Sequence, residues 1–261
     1  MRAQLAEFTD DRWLPFELAP GVLAAFTSRR GGVSVPPFDT LNLGDAVGDD
    51  PAAVASNRWL AAQACGRVGD RTAWMRQVHG SDVAYAAAGR PATKGAALAV
   101  GATPAVDALF TDVPALALGV LVADCVPVLV ADPVARVIGV AHAGREGMAA
   151  GVVPALVRAM TGAGSDPARM RAVIGPAICG GCYEVPDQLR ERIAGVVPSA
   201  GCVTAKGTPG IDVRSGVGAQ LAAAGVQAVS RDPRCTAETP ALYSYRRDGQ
   251  TGRFAGLVWL A

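Results

Sequence analysis

The stretch LGVLVADCVPVLVAD, Leu118 to Asp132, constrains the fold more than any other. It is almost wholly apolar, and it belongs to a run, Ala115 to Ala131, that is too short for a membrane span and is broken by Asp124 and Pro127. The run therefore reads as two neighbouring core strands, Ala115–Ala123 and Val126–Ala131, with an aspartate and a cysteine between them. A strand that only filled a core would do better without Asp124, Cys125 and Pro127. Those residues mark a position where chemistry competes with packing.

The rest of the chain fits a globular protein. Its 261 residues can bury a substantial core, and with 51% hydrophobic and 18% charged residues the chain has the balance to do so. The net charge of +1 comes without a lysine or arginine run, which argues against nucleic acid and membrane surfaces as partners. Acidic residues stand where a signal peptide would carry its apolar core, and the six cysteines are too sparse for a disulfide scaffold. The expectation is a cytoplasmic protein with reduced thiols.

Further strands are expected at Val22–Thr27, Ala73–Val78, Ala108–Thr111, Val137–Ala141, Ala172–Ile174, Val226–Val229 and Gly256–Leu260. Asp50-Pro51 has the form of an N-cap followed by a first-turn proline and should open a helix running to about Cys65. Other helices are expected at Gly147–Met160, Asp187–Ala194 and Ser215–Ala224, and a surface loop at Ala86–Ala105. Strands come in neighbouring runs as well as alternating with helices. This favours an α+β fold, a single-domain sandwich over residues 1–261 with a mixed sheet and helices packed on it. No glycine-rich dinucleotide or P-loop motif is present.

The chain has only two histidines, His79 and His142. Each follows an apolar strand pattern, as Cys125 does, and strand ends are where a rigid sheet presents side chains to a ligand. Two imidazoles and one thiolate suit Zn²⁺, and three protein ligands leave a position open, as catalytic zinc requires. Asp82, Asp107 and Asp124 are the acids nearby in sequence that could orient the imidazoles. The same residues also admit a Cys–His hydrolase, with Cys125 as nucleophile and a histidine as base. A buried cysteine that serves only as a small hydrophobe is the third reading.

CGGC, Cys179 to Cys182, is a CxxC without a second CxxC to complete a zinc site. Its central glycines oppose a helix, so it reads as a glycine-rich loop whose N–H groups can approach a ligand. Arg29 and Arg30 in SRRGG and Arg246 and Arg247 in YRRDG are candidate anion contacts, since guanidinium forks suit phosphate.

Taken together, FTSRRGGVS, NLG, RQVHGSDV, VDALFTD, LGVLVADCVPVLVADP, IGVAHAGREG, IGPAICGGCYEV and YSYRRDGQTGRFAGLVWL resemble the YfiH-type family. Its members carry the labels laccase-domain protein, polyphenol oxidase, peptidoglycan editing factor and purine nucleoside phosphorylase. The resemblance spans about Gly21 to Leu260, with the motifs in the family's order. It implies a zinc site at His79, Cys125 and His142. It also implies phosphorolysis of adenosine, inosine, guanosine and methylthioadenosine, and deamination of adenosine. Cys125, His142 and Asp124 are then the catalytic candidates, with Asp124 moving a proton. Arg29, Asn42, Gln77, Gly180 and Arg246 are the candidates for binding nucleoside and phosphate. Peptidoglycan-precursor editing, and a binding protein with a vestigial site, are the alternatives. A blue-copper site alone would consume both histidines, so four-copper chemistry is excluded and copper binding would be adventitious. One motif departs from the family: HAGREG stands for the usual HAGWRG. Arg145 thus holds the tryptophan position and is expected to point away, while Glu146 replaces the arginine.

Overall fold

The structure is a computed structural model and describes residues 15–65, 71–87 and 104–261. β1 (Phe16–Ala19) and β2 (Val22–Phe26) form a hairpin through Gly21, whose φ of 70° lies in the left-handed region. α1 (Pro51–Ala64) starts as the sequence requires, with the Asp50 carboxylate accepting from the Ala52 N–H. β3 (Thr72–Ala73), β4 (Val83–Tyr85) and β5 (Ala108–Thr111) follow. The apolar run then supplies β6 (Ala117–Val122) and β7 (Val126–Asp132), and β8 (Val137–Ala143) returns beside β7. Next come α2 (Arg145–Ala149), α3 (Val152–Gly162), β9 (Arg171–Ile174) and α4 (Asp187–Val196). The chain closes with β10 (Gly201–Val203), β11 (Pro209–Ile211), α5 (Val213–Ala223), β12 (Ala228–Arg231), α6 (Tyr245–Asp248) and β13 (Phe254–Leu260).

These elements build the expected α+β sandwich. One sheet has the order β1-β2-β13-β6-β3 and the other β12-β9-β7-β8-β5-β4; both mix parallel and antiparallel pairs. Alternation along the strands decides which layer each residue enters. On β7, Leu129 and Ala131 face the core between the sheets with Leu118, Val120, Ile138 and Phe254. Val126, Val128 and Val130 face the opposite way, onto Leu156 and Met160 of α3 and Val217 and Leu221 of α5. On the far side of the other sheet, Leu121, Leu257 and Trp259 are covered by Ala61 of α1. Both faces of β6 and β7 are buried, which is why their sequence is continuously apolar. Each such leucine or phenylalanine contributes about 1.5–3 kcal/mol.

Two expectations need correction. The strand expected at Ala73–Val78 ends at Ala73. Beyond it the Gln77 side chain acts as a substitute strand: its Nε2 donates to the Leu121 carbonyl and its Oε1 accepts from the Leu121 N–H. The helix expected at Gly147–Met160 is two helices, because Gly151 takes a φ of 84° and Pro154 lacks the N–H that a continuous helix would need there. The loop expected at Ala86–Ala105 lies mostly outside the described residues.

Candidate metal centre and the cavity above it

The turn between β6 and β7 answers the question posed by Asp124 and Cys125. Asp124 has a φ of 99°, a left-handed conformation rare for a side-chain-bearing residue, and this turns Cys125 out at the sheet's end. His142 is the penultimate residue of β8, paired with Pro127 on β7. His79 sits in the segment after β3, also with a positive φ, of 61°. The three ligating atoms lie within 4.8 Å of one another. The His79 Nε2 is 3.8 Å from the Cys125 sulfur, and the two imidazoles meet edge-on with centroids 4.7 Å apart.

A buried carboxylate holds this arrangement. Asp107, fully buried at the entrance to β5, accepts from the Val78, His79 and Gly80 N–H groups at 3.1, 3.0 and 2.7 Å. Its Oδ1 also meets the His142 Nδ1 at 2.8 Å, which leaves Nε2 as the nitrogen that faces the sulfur. Of the three acids considered from sequence, Asp107 is therefore the one that orients both histidines. Asp124 lines the cavity above the triad and bonds to neither imidazole, accepting instead from the Thr236 and Ser244 hydroxyls and the Arg246 N–H at 2.6, 2.7 and 2.6 Å. The Asp82 backbone carbonyl accepts from the Asp107 and Ala108 N–H groups.

The charges within the site are strongly coupled. Burial pushes the Cys125 thiol up, but the positive His142 and hydrogen bonds from both imidazoles outweigh it and bring it down to about 6. Burial pushes His142 down, but the Cys125 thiolate and Asp107 outweigh it and raise it to about 9. Burial likewise pushes Asp107 up, and its bonds from His142 and the Gly80 N–H more than reverse the effect. A thiolate and two imidazoles, oriented by the Asp107 carboxylate behind them, form a donor set that fits a metal ion. Two glycines make room for it. A Cβ on Gly144 would stand 2.8 Å from the His79 ring and 3.1 Å from the Cys125 sulfur, and one on Gly147 would meet the Gly80 carbonyl at 3.0 Å.

The triad opens into a cavity of about 940 Å³. Trp74, Leu121, Ile178 and Tyr183 give it apolar walls, and Arg145, Arg246 and Arg253 bring guanidinium groups to it. Arg246 lies over the Tyr183 ring and donates to the Glu184 carbonyl. Arg253 donates to the Thr251 and Gly252 carbonyls, and among the described residues neither it nor Arg246 pairs with a carboxylate. Arg145 does not point away as expected: it lines the cavity, donating to the Tyr183 hydroxyl at 2.7 Å. Glu146 is held by Arg192 at 2.6 Å and by Arg145. Of the other sequence candidates, Gln77 reaches the cavity while braced against Leu121. Arg29, Asn42 and Gly180 are not among its lining residues. Arg29 pairs with Asp39 and Asp248 and stacks on Tyr243. Asn42 is fully buried, tying Gly44, Asp49 and the Arg253 N–H together. Gly180 allows close packing, since a Cβ there would lie 2.9 Å from the Cys202 sulfur.

Residues 23–261 match the family described as multi-copper polyphenol oxidoreductase laccase. The chain is 53% identical to a purine nucleoside phosphorylase of Streptomyces coelicolor, over 92% of this chain and 96% of that one. It is 35% identical to purine nucleoside phosphorylase YfiH of Escherichia coli, over 92% and 94%.

The chain belongs to the YfiH family.

Solved structures agree. YfiH of Bacillus licheniformis superposes with a TM-score of 0.84 at 31% identity, covering 97% of this chain and 98% of that one. YlmD of Geobacillus stearothermophilus does so with 0.84 at 32% identity, over 95% and 96%. In this YfiH-family chain two residues that shape the centre and its cavity, Gly144 and Arg253, were not among the sequence candidates. Gly144 and Arg253 carried no signal by residue type.

Proposed function

We propose that this chain is a zinc-dependent purine nucleoside phosphorylase that also deaminates adenosine. The observation that carries the reading is a two-imidazole, one-thiolate donor set opening into a cavity with apolar walls, where the guanidinium groups of Arg246 and Arg253 pair with no carboxylate among the described residues. His79, Cys125 and His142 would hold the ion, and Zn²⁺ suits their mixture of nitrogen and sulfur. Bound there, it would supply a Lewis acid able to polarise a substrate oxygen or nitrogen.

The chain's own residues do the rest. Trp74, Leu121 and Ile178 offer flat apolar contact to a purine, and Tyr183 adds a ring edge and a hydroxyl. Arg145, Arg246 and Arg253 bind phosphate and hold it for attack on C1′. As the new C1′–O bond forms and the bond to N9 breaks, the purine leaves with the electron pair and takes a proton. The products are free base and ribose 1-phosphate. Adenosine, inosine, guanosine and methylthioadenosine share the parts this scheme uses. For deamination, Asp124 is the proton carrier, since it reaches the cavity and its two hydroxyl partners can rotate to follow a change in its protonation.

The test is incubation with adenosine, with and without phosphate, resolving adenine, inosine and ribose 1-phosphate. Adenine and ribose 1-phosphate should form only with phosphate, and inosine under both conditions. No product under either would overturn the reading. One observation favours a second reading, a Cys–His hydrolase: the Cys125 sulfur lies 3.8 Å from the His79 Nε2, and the positive charge of the imidazoles around it lowers the thiol, as a nucleophile beside a base requires.

A further inference from the structure

The CxxC left unexplained by the cavity has a partner that the sequence hides. Cys179 and Cys182 come together with Cys235 and Glu238, and the four ligating atoms lie within 4.8 Å of one another. Each half is a tight turn built the same way. The Cys179 carbonyl accepts from the Cys182 N–H at 3.0 Å, and the Cys235 carbonyl accepts from the Glu238 N–H at 3.1 Å. Each turn therefore presents a first ligand and a second one three residues later, on the same side. The halves are also stitched to each other. The Cys179 N–H donates to the Cys235 sulfur at 3.3 Å, and the Thr236 N–H donates to the Ala177 carbonyl at 3.3 Å. None of the four residues lines the cavity, although their neighbours Ile178 and Tyr183 do.

We infer that Cys179, Cys182, Cys235 and Glu238 form a second, structural zinc site on the outer side of the cavity wall. Three thiolates and a carboxylate complete a tetrahedral shell from protein atoms alone, as structural zinc requires, and thiolates select zinc over hard cations. A catalytic ion keeps a position open; this set closes it. The consequence for the first site is mechanical. The Ile178 N–H donates to the Asp124 carbonyl at 3.0 Å, and the Thr236 hydroxyl donates to the Asp124 carboxylate. An ion here ties together the two loops, after β9 and after β12, that clasp Asp124 next to Cys125.

The inference is independent of the nucleoside reading, and its test removes the first site from view. Cys125→Ala protein, purified without added metal, is analysed for zinc; it should retain one equivalent that strong chelation removes. Alkylation of Cys179, Cys182 and Cys235, followed by peptide mass spectrometry, should accelerate by about tenfold or more when the chelator is added. Replacing the zinc with Co²⁺ should give an intense thiolate-to-cobalt charge-transfer band, although the Cys125 thiolate is gone. In the converse variant, Cys179→Ser with Cys235→Ser, the protein should lose this equivalent and keep the one at His79, Cys125 and His142. A Cys125→Ala protein without zinc, or a Cys179–Cys182 disulfide in protein whose thiols were blocked at lysis, would overturn the inference. Either result can be read on a chain whose second cluster is intact, so misfolding of the double variant leaves the test standing.

Discussion

Replacing Asp107 with asparagine removes one oxygen from the centre of the site while barely changing its size. Four N–H donors converge on this carboxylate: His79 N and His142 Nδ1 on Oδ1, Val78 N and Gly80 N on Oδ2. An asparagine can turn its oxygen to only one pair, and its amide then faces two donors with a donor. Each stranded N–H costs about 1–3 kcal/mol, so Asp107→Asn should lose roughly 1–6 kcal/mol of stability, the lower end where His142 changes tautomer to meet the amide. The metal feels it too. If the amide faces His142, the imidazole can accept at Nδ1 and move its proton to Nε2, the nitrogen a metal needs. If it faces Val78 and Gly80, the turn that carries His79 loosens. Either way, zinc affinity should fall roughly 10–100-fold, the usual loss when a ligand's supporting partner is removed. Competition with a chromogenic chelator measures the affinity, and urea unfolding in excess chelator measures the stability without metal. A variant with parental zinc affinity would refute the role given to Asp107.

Other outcomes follow from the same geometry. Gly144→Ala places a methyl 2.8 Å from the His79 ring, so zinc binding and phosphorolysis should collapse, with a stability loss of about 1–3 kcal/mol in denaturant titrations. Arg253→Gln should raise the KM for phosphate by roughly ten- to a hundredfold with a smaller effect on nucleoside, as phosphate-dependent kinetics would show. Far from the site, Asp132 is fully buried and accepts from the Val134, Ala135 and Asp166 N–H groups and from Arg169. Burial pushes its carboxyl up, but these bonds outweigh it and hold it below the usual carboxylate range. A depressed carboxylate stabilises the fold above its unfolded pKa of about 3.9 and loses that contribution as pH falls through its folded value. Asp132→Asn should therefore cost about 1–3 kcal/mol at neutral pH in denaturant titrations, and the gap should narrow at pH 4 and below.

Much of this was readable from residues alone, for reasons that can be named. β6 and β7 announced themselves because burial on both faces forces a continuous apolar run, and the acid and thiol between them stood out against it. The Asp50-Pro51 start of α1 is local chemistry and needs no tertiary help. What escaped depends on contacts made across the fold. Gln77 ends a strand early because its side chain satisfies Leu121, which no periodicity reveals. The choice of Asp107 over Asp82 and Asp124 rests on which carboxylate the sheet brings beneath both histidines. Arg145 reaches the cavity through the Tyr183 hydroxyl, a partner far along the chain. The partner of CGGC is not legible as a second CxxC because the other half, Cys235 to Glu238, is a CxxE.

The central claim is that Cys125 is a metal ligand in a nucleoside-cleaving site, and its alkylation rate tests this most directly. The rate is measured on protein as purified and after chelation, with phosphorolysis followed in the same samples. A zinc-held thiolate is shielded, so Cys125 should react slowly at first and fast once the chelator has acted, with phosphorolysis lost in step. Rapid alkylation of Cys125 in untreated protein, with activity intact after chelation, would contradict the account and leave Cys125 and His142 as a nucleophile and its base.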